Sequence, residues 1–116
     1  MEHTGEDPLM ELRKAIVAQK TAALPDRPAD PALQELHQKI VDYDRHVSES
    51  VITILGGGRT VTPYPAAGEI DPLLNQKLAA AAGPSRSMLM LYQRYKERLD
   101  RMFSLAARVA QTRQTE

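Results

Sequence analysis

Cysteine is absent from the 116 residues, which excludes disulfides, thiolate zinc sites and cysteine nucleophiles. Tryptophan is absent as well, phenylalanine occurs once and aromatics make up 4% of the chain, so any core must rest on Leu, Ile, Val, Met and Ala. No apolar run approaches the roughly 20 residues of a membrane span. The stretch 1–7 is polar and acidic, unlike a cleavable secretory signal. The expectation is cytoplasmic synthesis, with export by a route that needs no such signal left open. Net charge is zero, which argues against simple nucleic-acid affinity.

The charge is nevertheless uneven. Residues 1–58 hold ten acids and six bases, and residues 59–116 hold five acids and nine bases. Halves of opposite sign can attract each other within a fold or between copies. The length suits one small domain, a size that buries a modest share of its surface and gains from partners.

Three Asp-Pro pairs punctuate the chain: Asp7-Pro8, Asp30-Pro31 and Asp71-Pro72. Asp accepts backbone N–H groups as an N-cap, and Pro suits the first helical turn, where its missing N–H is not needed. Each pair therefore predicts a helix start. Helix 1 is expected over 8–24, with Leu9, Leu12 and Ile16 on one face. Pro25, Pro28 and Pro31 then interrupt, and so short a connection predicts that helix 2 folds back on helix 1 as a hairpin. Helix 2, over 31–55, carries the seam Leu33, Leu36, Ile40, Tyr43, Val47, Ser50 and Ile54, whose three–four alternation is the coiled-coil pattern. Val41, Val51 and Leu55 form a second stripe, more apolar face than one partner helix requires.

Gly56-Gly57-Gly58 ends that helix. Residues 56–70, with Pro63, Pro65 and Gly68, read as a flexible linker. Helix 3 is expected over 72–82 and helix 4 over 86–113, with Ser85 as its cap. The seam of helix 4 is Met88, Tyr92, Tyr95, Leu99, Met102, Ala106 and Val109. Its first turns, Met88-Leu89-Met90-Leu91-Tyr92, are apolar on every side, which predicts burial on every side or a patch for a partner. The expected architecture is thus all-α. It comprises a disordered stretch 1–7, a helical hairpin over 8–55, a linker over 56–70 and a second helical pair over 71–116. Val41, Val51, Leu55 and Met88 to Tyr92 are the candidate partner-binding residues.

Reactive chemistry finds little footing. Asp42 and His46 are four apart and could share a weak ion, but they read better as a solvated helix face. Gly56-Gly57-Gly58-Arg59-Thr60 has the composition of a phosphate loop, yet a helix precedes it and a Pro-rich stretch follows, where a P-loop needs a strand and then a helix. The acid pairs Asp42 with Asp44, and Glu97 with Asp100, stand among cations on polar faces rather than in a desolvated pocket. No enzyme, cofactor or metal site is expected. Helix 4 carries Arg86, Arg94, Lys96, Arg98, Arg101, Arg108 and Arg113 against Glu97 and Asp100, a basic face that could meet an acidic protein or a nucleic acid.

The run Leu24-Pro25-Asp26-Arg27-Pro28-Ala29-Asp30-Pro31-Ala32-Leu33, followed by Gln38 and by Tyr43 one residue out of register, resembles the needle subunits of bacterial type III secretion systems. That family is a helical hairpin with a Pro-x-Asp/Asn-Pro turn, here Pro28, Asp30 and Pro31, followed by Ala-Leu and an amphipathic helix. The resemblance spans roughly 9–55. Where a needle helix would run on, Gly56 to Gly58 interrupt. The segments 87–93 and 104–109 are similar to the last helix of inner-rod subunits of the same machines, without the Gly-Lys that follows there. The resemblance implies a structural or assembly component that acts by helix packing and self-assembly. A small chaperone or adaptor holding a partner's amphipathic helix is the alternative, and a basic-helix nucleic-acid binder is the third.

Overall fold

Capping chemistry and apolar periodicity place four helices in the computed structural model, which describes residues 7–20 and 24–115. They are α1 (Pro8–Lys20), α2 (Pro31–Leu55), α3 (Ile70–Ala80) and α4 (Gly83–Gln114), with a 3-10 turn at Pro65–Glu69 leading into α3. No strand occurs among the described residues, so the all-α expectation holds. The stretch expected to be disordered lies outside the described residues except for Asp7.

Two of the three Asp-Pro starts behave as capping predicts. The Asp30 carboxylate accepts the Ala32 N–H at 2.9 Å, and Asp7 accepts the Leu9 N–H at 3.1 Å. The third does not. Helix α3 begins earlier, at Ile70, because the 3-10 turn supplies its first carbonyls, and Asp71 lies within the first turn, free to pair elsewhere. Ser85 is not the cap of α4 either; that helix starts at Gly83, whose φ of +62° is open to glycine without strain.

Helix α4 is the hub. Helix α2 runs parallel to it, from His37 beside Tyr92, through Tyr43 beside Asp100, to Ile54 beside Arg113. Helix α3 runs antiparallel to α4, with Asp71 at Lys96 and Leu78 at Arg86. Helix α1 is also antiparallel to α4: Pro8 and Leu9 lie at Val109, and Glu11 at Arg101. The expected hairpin of helices 1 and 2 is not formed, for α1 packs on α4 and makes no backbone approach to α2. The physical reason is the supply of apolar surface. Helix α4 presents a broad face that both helices can cover, whereas the α2 seam is already filled by α4 and α3.

One core results, built from Leu12, the α2 seam, Ile70 and Leu74, and the α4 seam with Leu89, Leu105 and Ala110. The α2 seam is buried as its spacing predicts: Leu36, Ile40, Tyr43, Val47, Ser50 and Ile54 are inside and Leu33 is half-buried. In α4 the wider buried set includes Leu105 and Ala110.

The segment expected to be a flexible linker is anchored along its length. Arg113 donates from one Nη1 to the carbonyls of Ile54 at 2.7 Å and Gly58 at 2.6 Å, covering orphan acceptors at the end of α2. Arg59 donates to the Arg113 carbonyl, and Gln114 donates back to the Arg59 carbonyl at 2.7 Å. Further on, His46 Nε2 donates to the Thr62 carbonyl at 2.6 Å, and the Tyr64 ring stacks on both His46 and Tyr43. Val61 and Tyr64 reach the core.

Candidate protein-binding surface

The residues expected to meet a partner divide into three groups. Leu89 and Tyr92 are 1% and 0% exposed, and Val51 is buried too, so these three belong to the core and not to a surface. Packing from α2 and α3 claims that side of α4, which is why an apolar turn is not buried on every side. Val41 and Met88 are half-buried. Leu55, Met90 and Leu91 remain exposed, the last two at 40% and 48%. The turn residues do different work: Pro28 is buried, its carbonyl accepts from Gln34 Nε2 at 2.9 Å, Asp30 caps α2 and Pro31 opens it.

Three further large apolar side chains are exposed among the described residues: Met10 and Val17 on α1 and Ile52 on α2. Ile52 with Leu55, three apart, shares one edge of α2. Met10 and Val17, seven apart, share one edge of α1. Their apolar character is plain in the sequence, but no spacing rule selects them, because a seam is read from the face that repeats and these stand off it.

Inside, Lys96, Tyr43 and Tyr95 are each paired with acids. Lys96 is 4% exposed, and its ammonium donates to Asp71 at 2.9 Å and to Asp100 at 2.8 Å. The Tyr43 hydroxyl donates to the other Asp100 oxygen at 2.7 Å, and the same ammonium stands 5.8 Å from the Tyr43 ring centre. Burial alone would lower the Lys96 pKa, but the hydrogen bonds and charges of Asp100 and Asp71 outweigh it and hold it above the usual lysine range. Burial, then the Asp100 bond, pushes the Tyr43 phenol up. Tyr95 is pushed up to about 12 by burial and by its bond to Asp44, 2.6 Å long. By sequence alone Lys96 belongs with the basic surface of helix 4 and Asp71 with the helix caps. The Lys96 to Asp100 spacing of four was the available signal, whereas the Asp71 contact spans 25 residues and leaves none.

The arginines of α4 are outside. Leu91, Arg94, Arg98 and Arg101 follow one another at spacings of three, four and three along one stripe, all exposed. Beside this stripe a cleft of about 300 Å³ opens between α1 and α4, lined by Glu11, Lys14, Ala15, Ala18, Arg98 and Arg101. Glu11 bridges two of its cations, at 3.2 Å from Arg101 and 3.4 Å from Lys14. Among the described residues neither Arg94 nor Arg98 makes an ion pair or hydrogen bond.

A second, more polar cavity of about 260 Å³ lies between α2 and the anchored segment, lined by His46, Glu49, Ser50, Thr53, Thr60, Val61 and Thr62. Its imidazole is committed to the Thr62 carbonyl, and the Ser50 hydroxyl donates to the His46 carbonyl at 2.9 Å. Among the described residues no three His, Asp or Glu side chains gather as a metal site would require, and no helix is long and apolar enough to cross a membrane. Set against family models, curated proteins and solved structures, the chain finds no match in any of the three.

Proposed function

We propose that this protein is a non-enzymatic binding component of a protein assembly, acting through the outer faces of its helices. The observation that carries this reading is the placement of Met90 and Leu91. They stand exposed on α4 directly beside a closed core, where an unpartnered domain would gain by polar replacements. Exposed Ile52 and Leu55, Met10 and Val17 add two further apolar edges.

The assembly we propose is the type III secretion apparatus, on the strength of the Pro28, Asp30, Pro31, Ala32, Leu33 and Gln38 pattern. Two forms of the proposal differ in what the surface meets. A needle- or rod-like subunit would pack against copies of itself, while a chaperone or adaptor would hold a partner's helix. The docking of α1 on α4 favours the adaptor form, since a needle hairpin would pair its first two helices with each other. Sedimentation over a wide concentration range, with electron microscopy of the concentrated protein, separates the two. Filaments or open-ended growth support the subunit form; a discrete complex with one partner supports the adaptor form. A monomer at all concentrations that recovers no partner from its source cells sinks both.

A further inference from the structure

We infer that the cleft between α1 and α4 docks an acidic amphipathic helix of a partner protein, an assignment that rests on the protein-binding reading and names the partner's chemistry. The floor of the cleft is Ala15 and Ala18, whose methyl-sized side chains let another backbone come close. Its rim is cationic: Lys14 on one side, Arg98 and Arg101 on the other, with Arg94 one turn further along α4. Glu11 is the acid within the cleft and is shared between Lys14 and Arg101, while Glu97 stands exposed on α4 near the stripe. Four cations thus meet two acids, and Arg94 and Arg98 hold their charge toward solvent.

The spacing of this rim fits a helix as occupant. From Leu91 to Arg101 the stripe climbs about 15 Å at the helical rise. A helix laid along it would offer carboxylates at intervals of three and four to Arg94, Arg98 and Arg101. The apolar face of the same helix would lie over Ala15 and Ala18 and end on Leu91, which stands exposed on the same stripe of α4 as Arg94 and Arg98. Nucleic acid fits less well. No aromatic ring lines the cleft to stack a base, and Glu11 would face the phosphates. An arginine such as Arg98 can meet an opposing carboxylate with two parallel N–H groups, which a lysine cannot.

The test uses the full chain and a fluorescent designed peptide with Leu and Ala on one helical face and Glu on the other. A scrambled peptide of equal composition and a single-stranded oligonucleotide are the controls, and anisotropy is read at two salt concentrations. Saturable binding is expected, weakened at least tenfold by the Arg94→Glu, Arg98→Glu pair, weakened by Leu91→Ser, and weakened by salt. The scrambled peptide should bind at least tenfold more weakly. Both arginines and Leu91 are surface residues, so unchanged circular dichroism should accompany these losses. Equal binding of the scrambled peptide, indifference to the charge reversals, or tighter binding of the oligonucleotide would overturn the assignment. If no peptide binds but the protein still assembles or retains a partner, the cleft assignment falls and the protein-binding reading stands. If assembly also fails, both fall.

Discussion

Lys96 is the residue on which the interior turns, and its environment is asymmetric. The lysine is buried, but Asp71 and Asp100 keep 60% and 43% of their side chains exposed. Removing the cation therefore leaves solvated acids, whereas removing the acids strands a buried cation. Lys96→Met should cost only about 1 kcal/mol, since the alkyl stem is replaced in kind. The Asp71→Asn, Asp100→Asn pair should cost about 3–5 kcal/mol. Urea unfolding of the two variants checks the order, and equal losses would contradict it. The tyrosines make a second prediction. Tyr43, Tyr92 and Tyr95 all have raised values in the fold, as does Lys96, so their stabilisation is present at neutral pH and below. It is lost as pH climbs through the raised values, for Tyr95 between the ordinary 10.0 and about 12. An alkaline titration followed by tyrosinate absorbance should show these phenols ionising late and together with loss of helix. Ionisation at ordinary phenol pH with the helices intact would refute this.

At the scale of the elements, the sequence was legible wherever a signal was local. The α2 seam could be read from spacing alone, and Asp30 from its Pro neighbour, because a helical face and an N-cap involve residues within a few positions. The pairing of α1 with α4 could not be read, since Glu11 and Arg101 lie 90 residues apart. The anchoring of residues 56–70 is illegible for a similar reason: Tyr64 and Arg59 find partners on α2 and at the end of α4, and a Pro- and Gly-rich stretch carries no period to announce them. The candidate surface was half legible. Met90 and Leu91 were marked by an all-apolar turn, but which members of that turn face inward depended on where α2 and α3 came to rest. Three substitutions test these local readings. A Cβ at Gly58 would lie 2.7 Å from the Thr53 carbonyl oxygen, a backbone atom, whereas at Gly68 nothing stands within 4 Å. Gly58→Ala should therefore lower the thermal midpoint clearly and Gly68→Ala hardly at all. Asp30→Ala should cost about 1 kcal/mol by loss of the cap, measured by denaturant unfolding.

Across the whole molecule, three helices rest on a fourth that is longer than any of them and follows them in the sequence. The charge halves noted in the sequence are interleaved by this arrangement, with Glu11 of the acidic half at Arg101 of the basic one, rather than set apart as two bodies. Truncating a fully buried core residue of α2, such as Ile40→Ala, should cost about 2–5 kcal/mol. That is a large share of the roughly 5–15 kcal/mol a domain commands, and a single transition with α1, α2 and α4 melting together is expected. Separate transitions by circular dichroism and by hydrogen exchange would mean that α1 is an appendage.

The position of that hub helix also sets an order of events at the ribosome. Elongation proceeds at about 5–20 residues per second, so for some seconds the first three helices are made without the surface they pack on. The faces they turn toward α4 stay open until that helix emerges. In that interval the core cannot close, and the emergence of α4 becomes the step on which folding of the three earlier helices waits.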